Sequence, residues 1–219
     1  MTNEKRPYGP LELAADKWIH ISGITAGVIG AIILVATVST GASLAITAAT
    51  IAYAVGLVTM LSCSAAYNLA PPGRAQQILR RIDHAAIFLM IAGTYTPLTI
   101  SHLQGAWFYA IISVVWAGAI TGAVMKLTLP HRFERYSLFA YLALGWVIVV
   151  AIGPLIQSTD VATLLLIGAG GLLYSVGTGF YSWVALPFQN AIWHAFVLAA
   201  AACHYAAVWL SVVLSPVSG

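Results

Sequence analysis

Charge is scarce in this chain of 219 residues. Only 7% of positions are Asp, Glu, Lys or Arg, where a soluble domain carries about a quarter. With 61% hydrophobic residues and a mean hydropathy of +0.92, that scarcity excludes an ordinary water-soluble globule. Long polar segments are also missing, so no separate soluble domain is expected. No internal repeat and no low-complexity tract is apparent. The two cysteines, Cys63 and Cys203, both fall inside apolar stretches. They read as buried free thiols acting as small hydrophobes, with a disulfide or metal role as the alternative. Residues 1–16 are polar, and no small-residue cleavage site follows a short apolar core. The first apolar stretch therefore reads as a retained helix and not as a signal peptide.

The few basic residues are instructive because of where they do not occur. Lys5, Arg6 and Lys17 precede the first apolar stretch. Arg74, Arg80 and Arg81 lie between the second and third, and Lys126, Arg132 and Arg135 between the fourth and fifth. The other gaps hold none. Short cytoplasmic loops collect Lys and Arg, since moving those charges across a bilayer is costly. The alternation predicts a multi-pass protein of the bacterial inner membrane with its N-terminus in the cytoplasm. It also explains the formal net charge of +3 without nucleic acid. The expected partners are membrane lipids.

A helix needs about 20 apolar residues to cross the hydrocarbon core. Seven stretches qualify: Trp18–Thr40, Ser43–Asn68, Asp83–His102, Ala106–Lys126, Tyr136–Leu155, Ala162–Trp183 and Asn190–Leu214. Short joints rich in Pro and Gly separate them and make neighbours antiparallel. The predicted fold is all-α, a seven-transmembrane-helix bundle with the C-terminus outside. Residues 1–17 form a cytoplasmic or interfacial lead-in, 18–214 the membrane domain and 215–219 a short tail. In the lead-in, Leu11, Leu13, Ala14 and Trp18 share one face, with Glu12 and Asp16 opposite, which suits a segment lying on the inner leaflet. Pro97 is expected to bend the third helix, and Pro154 lies near the outer end of the fifth.

Polar groups at membrane depth are expensive, so each asks for a reason. Ser64 and Asn68 end the second stretch, Asp83 and His84 open the third, and Asn190 and His194 open the seventh. By the alternation above, all three ends lie at the inner face. Ser64 and Asn68 are four apart and share a helix face, as do Asn190 and His194. The expectation is one polar cluster near the cytoplasmic leaflet. Read singly, these residues also suit helix ends reaching headgroup water, and Asp83 a surface ion pair with Arg81. His204, ten residues beyond His194, reads as a packing histidine near mid-bilayer. His20, His102 and His131 lie near interfaces and carry little signal.

At these residues the chain resembles the haemolysin III family, the bacterial branch of the progestin and adipoQ receptor group. The resemblance rests on Ser64-Ala-Ala-Tyr-Asn68, on the run from Leu79 through Arg80-Arg81-Ile82-Asp83-His84 to Gly93-Thr94-Tyr95-Thr96-Pro97, and on Asn190-Ala-Ile-Trp-His194 with Cys203-His204. It implies a zinc site of three histidines, with an Asp orienting a bound water, as in related amide hydrolases. Ser64, Asp83 and His194 match that pattern. Asn68 and Asn190 stand where the other two histidines belong. An amide oxygen substitutes poorly for imidazole on zinc, so weak zinc binding or none is expected, and no other cofactor. The first functional reading is a non-catalytic membrane-state or lipid-responsive protein. The second is a zinc-dependent intramembrane lipid amide or ester hydrolase using Ser64 and Asp83. The third is a cytolysin, which no row of pore-lining polar residues supports.

Overall fold

Helix formation here follows from apolar length and from well-made starts. In the computed structural model, which describes residues 8–214, α1 spans Pro10–Ser39. Pro10 opens it, where a missing N–H costs nothing, and the Glu12 carboxylate accepts a hydrogen bond from the Gly9 N–H at 2.7 Å. The helices α2 (Leu44–Leu69), α3 (Arg74–His102) and α4 (Gly105–Thr128) follow. The fifth span is broken into α5 (Pro130–Gly145), a 3-10 turn over Val147–Ala151, and α6 (Ile152–Ser158). Then come α7 (Val161–Ser182) and α8 (Gln189–Trp209), the latter continued by a π turn over Leu210–Leu214. Seven spans are long and apolar enough to cross a membrane, and no strand occurs among the described residues. Lys5, Arg6 and the tail 215–219 lie outside the described residues, as do the side chains of His131 and Arg135.

The first turns of α1 are built inside out. On α1, Leu11 is 76% and Trp18 65% exposed, while Glu12 and Asp16 are 8% and 6% exposed. Apolar side chains face the lipid, and the polar stripe packs inward. The lead-in drawn from the sequence is thus the first turns of α1. Likewise α3 starts nine residues before Asp83, because the polar run from Arg74 continues the helix past its apolar part.

α3 is the central helix. It takes part in both apolar cores: one with α1, α2 and α8, through residues such as Leu34, Tyr53, Met90 and Val208, the other with α4, α5 and α6, through Phe88, Val115 and Leu155. Gly122 lets the Phe88 ring lie directly on α4, where a Cβ would collide with it. The break in the fifth span is stitched by Tyr95 of α3. Its hydroxyl donates to the Gly145 carbonyl at 2.7 Å and accepts from the Ile148 N–H at 2.9 Å. The sequence reading had drawn that span as one continuous helix.

Alternating helix direction sorts the polar residues into two ends. At one end, Arg80 of α3 and Lys126 of α4 both reach Glu134 of α5, at 2.6 and 2.5 Å. Burial pushes the Glu134 carboxyl up, but the Lys126 bond and the nearby Arg80 charge override it and hold it below the usual range. At the other end, His102 Nε2 lies 2.7 Å from Ser211 Oγ, and the Ser158 hydroxyl donates to the His102 carbonyl at 2.6 Å. Cys63 and Cys203 are free thiols.

Candidate functional site

An interhelical cavity of about 440 Å³ reaches Glu134 at one end of the bundle. Ser64, Asn68, Asp83, His84, Asn190 and His194 all border it. The cavity runs along α8 as far as His204, ten residues or about 15 Å of helical rise beyond His194. Its far walls are apolar and aromatic, with Met90, Trp146 and Leu198 among them. One end is therefore densely polar, while the rest is mostly apolar, with Thr94, Ser175 and His204 as exceptions.

The polar end is tightly wired. Asn68 Nδ2 donates to the Ser64 carbonyl at 2.9 Å. Asn190 Nδ2 donates to Asn68 Oδ1 at 3.1 Å and to Asp16 Oδ2 at 2.9 Å. His194 Nδ1 donates to Asp16 Oδ1 at 2.6 Å. The His20 ring lies against the His194 ring, centroids 4.3 Å apart. Asp83 is buried in the cavity wall, and no ion pair links it to Arg81 among the described residues. Those guanidinium and ammonium groups that do reach inward, on Arg80 and Lys126, go to Glu134. The Tyr141 hydroxyl donates to the His84 carbonyl at 2.9 Å.

Two central members of this network were missed in the sequence: Asp16 and His20. The sequence places Asp16 on the polar face of an inner-leaflet segment and His20 near an interface. Both are more than nine-tenths buried. Their signal was a spacing of four that runs Glu12, Asp16, His20, one stripe on one helix face. Further along that stripe, Gly23 and Gly27 are buried too. Glu12 Oε1 accepts from the Phe188 N–H at 2.5 Å, fixing the turn from which α8 departs. His102 is likewise buried and bonded, at the opposite end. His204 packs on Gly170, where a Cβ would collide with its ring, and its Nε2 lies 3.4 Å from the Ile167 carbonyl.

The three-histidine zinc pattern can be tested against these contacts. Of its ligand positions only His194 is an imidazole. The amides of Asn68 and Asn190 bond to each other, with Asn190 turning N–H donors toward Asn68 and Asp16. The Asn68 amide oxygen is already taken up by Asn190, and an amide oxygen is a poor substitute for imidazole on zinc, so these residues do not fit zinc in that pattern. A different group of three, Asp16, His20 and His194, does bring metal-ligating atoms within 4.8 Å of one another.

The Haemolysin-III related family model matches residues 14–205. A "Hemolysin-3 homolog" of Bacillus subtilis (strain 168) is 42% identical over 143 residues, 65% of this chain and 67% of that protein. "Hemolysin-3" of Bacillus cereus is 41% identical over 129 residues, so that the chain spans 59% of that relative's length. The human "Monocyte to macrophage differentiation factor" is 28% identical over 180 residues, 75% of this chain and 70% of that protein. No solved structure gives a significant match. With a family match over most of its length and seven apolar spans around one polar-ended cavity, the chain is a multi-pass membrane protein and belongs to the Haemolysin-III related family.

Proposed function

We propose that this protein is a non-catalytic, lipid-responsive protein of the bacterial inner membrane. Its cavity holds a single amphiphile, with the polar head at Asn68, Asp83 and Asn190 and the acyl part along Met90 and Leu198. The observation that carries this reading is the cavity itself. At about 440 Å³ it lies within the usual range of small-molecule sites, about 300–1,000 Å³, and it has their character of apolar walls with a few polar groups. The Glu134 end faces the cytoplasm in this reading, because the basic residues of the second and third clusters gather there. A C-terminal reporter enzyme that works only outside the cytoplasm would then be active.

The test is co-purification. Protein extracted in mild detergent should retain about one lipid per chain by native mass spectrometry, and Val197→Trp, which fills the cavity, should lose it. Lipid-free wild-type protein would overturn the reading.

The second reading, an intramembrane lipid hydrolase, is favoured by one observation: the Asp83 carboxylate and the Ser64 hydroxyl both border the cavity. Release of free acyl chain from the bound lipid, abolished in Asp83→Asn, would establish it in place of the first. The cytolytic role in the names of the Bacillus relatives gains nothing from the geometry, since the cavity walls are mostly apolar and aromatic, without the continuous polar lining of a water-filled pore.

A further inference from the structure

We propose that Asp16 and His20 of α1 and His194 of α8 form a binding site for one divalent transition-metal ion of the zinc class, independent of any lipid in the cavity. Three observations converge on it. Asp16 and His20 sit four apart on one helix face, and α8 carries His194 against them. One nitrogen of each ring and one carboxylate oxygen fall within 4.8 Å of one another.

The second observation is an unsatisfied group. His20 is 6% exposed, and its Nε2 has no hydrogen-bonding partner among the described residues. It lies 3.6 Å from Asp16 Oδ2, too far for a hydrogen bond. A buried polar atom left in that state costs about 1–3 kcal/mol, and a shared cation removes the cost.

The third is charge. The Asp16 carboxylate is 6% exposed, and no Lys or Arg pairs with it among the described residues. Lys17, its neighbour in sequence, points outward. A buried carboxylate flanked by two imidazoles is short of positive charge, and a divalent ion supplies it.

The donor set selects the ion. Two imidazoles and one carboxylate suit zinc and its neighbours in the first transition row, while calcium and magnesium take all-oxygen sites. His20 and His194 both border the cavity, so one side of the trio stays open. The pattern of three histidines on the second and seventh spans is lost here at Asn68 and Asn190. The carboxylate and a replacement imidazole come from the first span instead.

The experiment uses the full chain in detergent, stripped with a chelator and then titrated with zinc alone, and in parallel with cobalt(II) alone. Wild type should bind about one ion per chain, show the visible absorption of four-coordinate cobalt and melt at a higher temperature with zinc. His20→Gln should weaken binding by more than about 100-fold, beyond what loss of a mere supporting residue costs. Lys17→Gln should bind as wild type does. If His20→Gln does not fold, X-ray absorption of zinc-loaded wild type decides by counting imidazoles, of which two are expected. Failure to bind zinc, binding untouched by His20→Gln, or a metal shell without imidazole would each overturn the site. None of these readouts depends on bound lipid.

Discussion

Glu12 holds Phe188 in a left-handed backbone conformation. Phe188 has φ 58° and ψ 17°, the only non-glycine residue with positive φ among those described, and its N–H is bonded to the Glu12 carboxylate. The left-handed region costs a non-glycine residue about 1–2 kcal/mol. The charged hydrogen bond offsets that, and it ties the start of α1 to the start of α8, 176 residues apart.

Glu12→Ala is therefore expected to destabilise the protein by about 2 kcal/mol, in the range for hydrogen bonds to charged groups. Thermal melting in detergent reads this directly. A melting temperature equal to wild type would mean that the α8 turn holds itself.

Tyr95→Phe removes one hydroxyl and frees two backbone groups, the Gly145 carbonyl and the Ile148 N–H. Gly145 is exposed and Ile148 half-buried, but no water replaces a lost partner within the hydrocarbon region, so the loss should be about 1–3 kcal/mol. Hydrogen exchange at Ile148 should rise well above its wild-type rate. Unchanged exchange would place the stitch elsewhere.

Restoring the two missing imidazoles tests the reading of Asn68 and Asn190. In an Asp16→Asn background, the double change Asn68→His with Asn190→His should create a zinc site of three histidines with His194. Zinc affinity should rise by about 100-fold or more over Asp16→Asn alone, by analogy with the cost of disturbing such sites. No gain would mean that the backbones of α2 and α8 do not bring these positions together.

Asp160 caps α7 from outside the membrane spans, accepting from the Thr163 N–H at 2.9 Å and the Thr163 hydroxyl at 2.6 Å. Those bonds to Thr163 favour the ionised form and lower its pKa. A group depressed on folding stabilises the protein above its unfolded pKa, and that contribution is lost as pH falls through the folded value. Asp160→Ala should cost about 1 kcal/mol at pH 7, the usual worth of such a cap. The difference between variant and wild type should shrink below about pH 4, where even an unperturbed carboxyl of this type protonates. A gap that persists at low pH would rule out the charge as its source.

Hydropathy and basic-residue spacing made the seven spans legible, because lipid demands length and lack of charge before anything else. The shared depth of Asn68, Asp83 and Asn190 followed from helix direction alone. Asp16 and His20 were hidden because an amphipathic segment at a membrane surface points its polar face at water, and that face here packs against α8. Leu11 and Trp18 face out and the acidic stripe faces in. The break after Gly145 was illegible for a different reason. Its partner, Tyr95, lies fifty residues away, and no local pattern announces it.

The Trp146 indole N–H donates to the Ser175 hydroxyl at 3.0 Å, on the outer surface between the fifth span and α7. Both residues also border the cavity. That bond thus ties the fifth span to α7 along one wall of the cavity. The polar end and this wall therefore rest on separate bonds, and a change at Trp146 leaves the contact between Asn68 and Asn190 in place.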